Sequence, residues 1–349
     1  MTSFAPLPPT LAWRGDHDGH LDLLDQTRLP QERIVLPLRT IDEVIEAIWH
    51  LRVRGAPAIG VAAAYGMVLG VRALSPLPNA FIDTTRSLSA RLAAARPTAV
   101  NLQWALDRCL QAVRKQPTLA ALFAEALQIH SDEVAMSERM GQFGAALVPE
   151  GGTVLTHCNT GRLATVGDGT ALAILFAAWR AGRRFRVLAD ETRPLLQGSR
   201  LTALELATAG IPVEILADGA AAGLIARGAV QMAVVGADRI AANGDFANKV
   251  GTYGVALACH AHRVPFYTVA PTSTFDLRLA DGSMIPIEER DGTEVTHLDG
   301  RCMAPVGVKA RNPAFDVTPA RYLRAIVTDR GVLEAPFDAS IKAMFAGGR

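Results

Sequence analysis

Four short segments carry residue types able to do chemistry, each at the end of an apolar run or the start of a helix. Residues 232–235 are apolar enough for a buried strand, and Gly236 breaks it just before Asp238 and Arg239. A polar, glycine-bearing loop with Asn243, Gly244, Asp245, Asn248 and Lys249 comes next, ahead of a small apolar helix. In open parallel α/β sheets, ligands sit beyond the carboxyl ends of strands. A carboxylate there can handle a proton, and an Asn-Lys pair beside a helix start can hold an anion. The plainer alternative is an Asp capping a helix and a Lys in solvent.

The second segment is Thr156-His157-Cys158-Asn159-Thr160-Gly161. A thiol just past a strand end can be a low-pKa nucleophile or an acid/base, although a buried cysteine is also a small hydrophobe. His157 is its neighbour, but neighbours on a strand point to opposite faces, so His157 is expected to be structural. In the third, Arg54-Gly55-Ala56-Pro57, glycine allows close backbone approach, and the next helix start with Arg54 suits an anion; a plain inter-helix turn fits as well. The fourth runs from Asp190 to Arg200, where Asp190 and Glu191 could orient Arg193 and Gln197 could reach a ligand hydroxyl. A capped, salt-bridged turn is its alternative.

Several functions are disfavoured. No GxGxxG follows a strand, and neither GxxxxGK[ST] nor GxSxG occurs, which argues against dinucleotide, P-loop and serine-hydrolase chemistry. Net charge is +1 and aromatics make up 6%, so no nucleic-acid or anionic-membrane surface is indicated. Cys109, Cys158, Cys259 and Cys302 show neither CxxC nor metal-ligand spacing, and no second ligand set supports a metal site. The opening residues lack a basic region followed by an apolar one, so free thiols in a reducing cytoplasm are expected. Apolar stretches such as 59–71 carry glycines and are shorter than the about 20 residues of a membrane span.

The elements that must hold these segments fall into two textures. After a small β lead-in (11–13, 21–25, 33–38), Thr40 with Glu43 makes a capping box for a helix. Helices follow over 58–71, 81–95, 102–115 and 118–147, with a loop at 75–79. From Pro149 strands at 153–156, 185–189, 213–216, 232–235 and 265–270 alternate with helices at 168–181, 201–209, 220–227 and 251–260. That alternation means βαβ units and a mostly parallel, Rossmann-like sheet covered by helices. Segments 301–305 and 312–319 read as irregular, and 322–327 as a further short element. An α/β chain divided into 1–148, a β and helical domain, and 149–349, the catalytic domain, is expected. Strand-end Cys, Asp, Arg, Lys, Gln and Asn suit a small phosphorylated polyol.

Taken together, Arg54-Gly55-Ala56-Pro57-Ala58-Ile59-Gly60, Arg96-Pro97-Thr98-Ala99-Val100-Asn101-Leu102, the Thr156–Gly161 segment, Ala189-Asp190-Glu191-Thr192-Arg193-Pro194, Gly236-Ala237-Asp238-Arg239 and Asn248-Lys249-Val250-Gly251-Thr252-Tyr253 resemble the methylthioribose-1-phosphate isomerases of methionine salvage. That fold is shared with ribose-1,5-bisphosphate isomerases and with regulatory subunits of the translation initiation exchange factor. The resemblance implies Cys158 and Asp238 as the catalytic pair, Asp238 as proton donor. It places Arg54, Gly55, Ala56, Arg96, Gln197, Asn248 and Lys249 around the substrate. It further implies a sugar-phosphate isomerase with no cofactor or metal, no nucleic-acid or membrane partner, and a homodimer formed through the C-terminal domain. Arg162 and Asp168 depart from the family pattern, at positions expected to touch the pocket mouth.

Overall fold

The computed structural model describes residues 5–74, 77 and 79–347. Residues 1–4 of the opening stretch, and Ser75, Pro76 and Pro78 of the expected 75–79 loop, lie outside the described residues. The chain is α/β, as its patterning implies.

Strands Leu11–Arg14, His20–Leu24 and Val35–Leu38 form a small antiparallel sheet. It packs with five helices: Ile41–Trp49, Ala56–Leu74, Phe81–Ala95, Val100–Lys115 and Leu119–Gly144. The capping box is present: Glu43 N–H donates to Thr40 Oγ1 at 3.2 Å, and Glu43 Oε2 accepts from Thr40 N–H at 2.9 Å. Helix Ala56–Leu74 corrects the short 58–71 expectation. At 19 residues it is long and apolar enough to cross a membrane, yet 83% of its most apolar 18-residue stretch is buried in the protein. A helix apolar on all sides belongs in a core, and here alanines and glycines let its neighbours approach closely. A Cβ on Gly60 would lie 2.8 Å from the Asn101 carbonyl oxygen.

The larger sheet has seven strands in the order Gly331–Leu333, Ala325–Thr328, Phe266–Val269, Met232–Val235, Thr153–Thr156, Arg186–Asp190, Val213–Leu216. All pairings are parallel except that of the edge strand Gly331–Leu333. Strands Thr153–Thr156 and Met232–Val235 are buried throughout, as a sheet covered on both faces requires. The chain adds two strands on one side of Thr153–Thr156, then returns to place Met232–Val235 on the other. The strand order therefore reverses between these two neighbours, which is where such sheets open a crevice. Thr156 pairs with Val234 and Ala189, so the chain leaves three adjacent strands at one level.

Three expectations need correction. The polar loop after Asp238 is a hairpin of strands Arg239–Ala241 and Phe246–Lys249, so Asn248 and Lys249 stand on a strand. Asn243 Oδ1 accepts from Asp245 N–H, and Gly244 takes φ +88°, which together make the turn. Segment 312–319 contains strand Phe315–Thr318, which pairs antiparallel with Phe246–Lys249; prolines on both sides disguise it. In 301–305, Arg301–Cys302 pairs with His297–Leu298. Residues 322–327 mark strand Ala325–Thr328 of the main sheet, and helix Phe337–Ala346 follows unannounced.

Candidate functional site

At the crevice, the thiol of Cys158 and the carboxyl of Asp238 leave neighbouring strands and face one cavity. All nine residues that the family resemblance implies line it: Arg54, Gly55, Ala56, Arg96, Cys158, Gln197, Asp238, Asn248 and Lys249. The cavity encloses about 760 Å³, its open mouth included. A second lobe of about 450 Å³ shares Gly55, Ala56, Arg96, Asp238 and Phe315 with it. That side lobe is otherwise mainly apolar, with Ile59, Ala99, Ala247, Ile285 and Pro286 in its wall. Asp238 lies where the two lobes meet, whereas Cys158 borders the main lobe alone.

Cys158 is buried and has φ +67°, a left-handed conformation that costs a non-glycine residue about 1–3 kcal/mol. Its N–H donates to Thr192 Oγ1 at 2.8 Å and its carbonyl accepts from Thr202 Oγ1 at 2.7 Å. Burial pushes the thiol above its ordinary pKa, opposed by Arg54 and Lys249, so at rest it is the protonated thiol. This corrects the low-pKa nucleophile alternative. Burial likewise raises the Asp238 carboxyl, against the pull of Lys249, Arg96 and Arg54. Its backbone N–H is held by Ala247 O at 2.9 Å.

The cations are anchored individually. Arg54 Nη1 donates to Asn159 O at 3.1 Å and Nη2 to Asn159 Oδ1. Asn159 is in turn fixed by Glu205 Oε1 at 2.7 Å, and Glu205 Oε2 accepts from Arg162 N–H at 2.6 Å. Burial lowers the pKa of both Arg54 and Lys249, with Cys158 and Asp238 acting to raise them. Lys249 Nζ lies 4.8 Å from the centre of the Phe315 ring. Arg96 meets Glu288 at 3.4 Å. The first turn of helix Ala56–Leu74 opens on the same space; such a turn offers N–H groups without intrahelical partners. Gly55 is required there, since at φ +90° an added Cβ would fall 2.5 Å from Ala164 Cα. Among the described residues, Arg54 Nε, Arg96 Nε, Thr160 Oγ1 and Gln197 Oε1 are buried around the cavity without a hydrogen-bond partner. Buried polar groups are normally paired, so four on one cavity point to a polar ligand.

His157 is structural. Its Nδ1 is 2.9 Å from Asp190 Oδ2 and its Nε2 2.9 Å from Val250 O. A carbonyl can only accept, so Nε2 carries a proton; burial depresses the imidazole pKa, but the Asp190 hydrogen bond and charge leave it raised overall. Asp190 therefore serves His157 and not Arg193, whose guanidinium donates to Pro194 O and Val295 O. His157, Asp190 and Asp218 do bring ligand atoms within 4.8 Å of one another, a spacing that sequence order hid. Most of these atoms are committed: His157 Nε2 to Val250 O, Asp190 Oδ2 to His157, and both Asp218 oxygens to the N–H groups of Thr192 and Arg193 at 2.7 Å each, whereas Asp190 Oδ1 has no hydrogen-bond partner.

Residues 52–335 match the initiation factor 2 subunit family. The chain is 52% identical to the methylthioribose-1-phosphate isomerase of Pelotomaculum thermopropionicum, over 97% of this chain and 94% of that protein. The chain belongs to this family, among its methylthioribose-1-phosphate isomerases. A 5-deoxyribose 1-phosphate isomerase of Moorella thermoacetica is 50% identical, with 99% of each chain covered. The solved 5-methylthioribose 1-phosphate isomerase of Pyrococcus horikoshii superposes with a TM-score of 0.89 at 42% identity, covering 98% of this chain and 97% of its own.

One lining residue was not read from the sequence, and one placement needs correction. Arg290 lines the main lobe, tied to Glu288 at 3.0 Å, in a stretch with no periodicity to place it. The charge-rich run Glu288-Glu289-Arg290-Asp291 just after Pro286 was the available signal. Arg162 and Asp168 are absent from the cavity wall; they pair with each other at 2.7 Å, which corrects their placement at the mouth.

Proposed function

We propose that this chain is an aldose–ketose isomerase that converts 5-methylthioribose 1-phosphate to 5-methylthioribulose 1-phosphate. The observation that carries the reading is the convergence of the nine residues on one cavity with an apolar lobe beside it. In this reading the phosphate lies in the main lobe against Arg54, Lys249 and the helix start at Ala56, with Arg96, Gln197 and Asn248 on the sugar. The methylthio end fills the side lobe. Asp238, between them, protonates the ring oxygen as the C1–O bond breaks, a task suited to a carboxyl with a raised pKa. Hydrogen then moves from C2 to C1 and the C2 hydroxyl proton leaves, giving the ketone. Cys158 takes the C2 proton in a cis-enolate route, or the hydroxyl proton in a hydride route. Either route has Cys158 accept a proton, so a thiol kept protonated by burial must first ionise beside Arg54 and Lys249, and its raised pKa does not separate the two routes. The sugar is its own oxidant and reductant, so the balance calls for no cofactor.

The same reading carries a cytoplasmic homodimer without nucleic-acid or membrane partners, and a division of the chain at 148/149. Exposed Tyr253 and Leu257, one turn apart on helix Thr252–Ala261, support a paired surface. The test is turnover of methylthioribose 1-phosphate beside 5-deoxyribose 1-phosphate and ribose 1,5-bisphosphate, with chelator present. Fast ketone formation from the two sugars lacking a C5 phosphate is expected. Preference for the bisphosphate, or no turnover by folded protein, overturns the reading.

A further inference from the structure

The left-handed backbone at Cys158 is held from both sides by threonine hydroxyls. Thr192 Oγ1 accepts the Cys158 N–H at 2.8 Å and donates its own proton to Asp190 O at 2.9 Å. Thr202 Oγ1 donates to Cys158 O at 2.7 Å and accepts from Asn159 Nδ2 at 3.1 Å. Each hydroxyl thus uses its one proton and one of its two lone pairs. Both threonines are fully buried. Thr192 is itself at φ +66° and is fixed through its N–H by Asp218 Oδ1 at 2.7 Å. Asp218 belongs to the loop after the edge strand Val213–Leu216, so the hold on Cys158 reaches across two strands of the sheet.

We infer that Thr192 and Thr202 are positioning residues: they clamp the two peptide groups flanking Cys158 and thereby aim its thiol into the cavity. A left-handed cysteine relaxes toward ordinary φ when nothing holds it, and its side chain then turns away from the crevice. The inference rests on the isomerase reading for its kinetic consequence and on geometry alone for its chemical one. Neither threonine lines the cavity, and the Thr192 hydroxyl holds only Cys158 N–H and Asp190 O, so its loss should spare substrate binding; Thr202 also accepts from Asn159, which anchors Arg54.

The experiment compares wild type with Thr192→Val, Thr192→Ser and Thr202→Val. Valine keeps the shape and removes the hydroxyl; serine keeps the hydroxyl. With methylthioribose 1-phosphate, Thr192→Val should lower kcat by about tenfold to a hundredfold at nearly unchanged KM, the scale of a misplaced reacting group. Thr192→Ser should restore most of it, and Thr202→Val should lower kcat to a similar extent, any accompanying rise in KM reporting its second bond to Asn159 beside Arg54. Independently of turnover, iodoacetamide labelling of Cys158, referenced to the exposed Cys302 by mass spectrometry, should slow several-fold in both valine variants and recover in the serine variant. Unchanged kcat with unchanged labelling, a rise in KM alone, or failure of serine to restore either readout would overturn the clamp. Absence of turnover in wild type would count against the isomerase reading, and the labelling ratio would then decide the clamp by itself. Circular dichroism melting confirms that each variant is folded.

Discussion

The main lobe of the cavity is walled by Arg54, Arg96, Lys249 and Arg290 and by buried polar atoms that have no partner in the protein. The side lobe next to it presents Ile59, Ala99, Ala247, Ile285, Pro286 and Phe315, and the Arg239 guanidinium that borders it is already taken. Arg239 Nη2 donates to Thr98 O at 2.7 Å, and Nη1 lies 3.6 Å from Asp276. The main lobe holds most of the uncommitted polar capacity, and the side lobe shares in it through Arg96 and Asp238 at the junction. A ligand with an anion at one end and an apolar group at the other can lie in only one direction across such a pair, and its middle then falls at Asp238. Orientation is therefore set by what each wall has left unsatisfied more than by shape.

The largest effect should come from the residue at the junction. Asp238→Asn keeps the size and polarity but cannot release a proton to the ring oxygen, and kcat should fall about 10³-fold, within the range for losing a general acid. The pH dependence carries its own sign. Burial raises the carboxyl's pKa, so the acid form persists above the usual carboxylate range, and activity should decline as pH rises through that raised value. In the Asn variant this alkaline limb should disappear from the residual rate. A variant retaining wild-type turnover, or the same limb, would take Asp238 out of the proton transfer.

How much of this arrangement was legible beforehand follows from where its information resides. Strands Thr153–Thr156 and Met232–Val235 were readable to the residue because a doubly covered parallel strand is a short, unbroken apolar run. Helix Phe81–Ala95 was equally plain. Phe315–Thr318 was hidden because it pairs only with Phe246–Lys249, some seventy residues earlier, and no local period announces that partner. The side lobe was invisible for the same reason: Ile59, Ala99, Ala247 and Ile285 come from four separate stretches. The Cys158 thiol was placed correctly at a strand end, but its raised pKa depends on burial that the surrounding chain supplies.

A smaller effect should separate the two lobes. Ala99 is half-buried at the rim of the side lobe, and Ala99→Leu fills part of that space while leaving the cations untouched. The methylthio sugar should lose kcat/KM by about 10- to 100-fold, the scale on which apolar pockets resolve a few carbon-sized groups. The 5-deoxy sugar, with only a methyl at C5, should change by less than about threefold, which inverts the preference between them. Equal losses for both substrates would mean that the C5 group does not enter this lobe.

The smallest effect concerns a buried carboxyl that belongs to neither lobe. Glu133, on helix Leu119–Gly144, is pushed up to about 8, chiefly by burial and then by the nearby charges of Asp329 and Asp132; its Oε1 has no hydrogen-bond partner. Asp238 shares the burial but has cations on its side, and its carboxyl lies on a cavity. Glu133 should therefore affect stability and leave the reaction alone. The unfolded carboxyl ionises near its ordinary value of 4.5, while the folded one holds its proton to about 8. Between those values the unfolded state has released a proton that the folded state still binds, so stability falls as pH rises, by at most about 1.4 kcal/mol per unit. Below the lower value the two states bind alike, and above the upper one the loss is complete. Glu133→Gln mimics the protonated form and should flatten that slope, raising Tm at pH 8 by a few degrees over wild type with kcat unchanged. Parallel melting curves for the two proteins from pH 5 to 8 would show that Glu133 is ionised in the fold, and that burial outside the cavity does not hold a carboxyl neutral as burial at the cavity does.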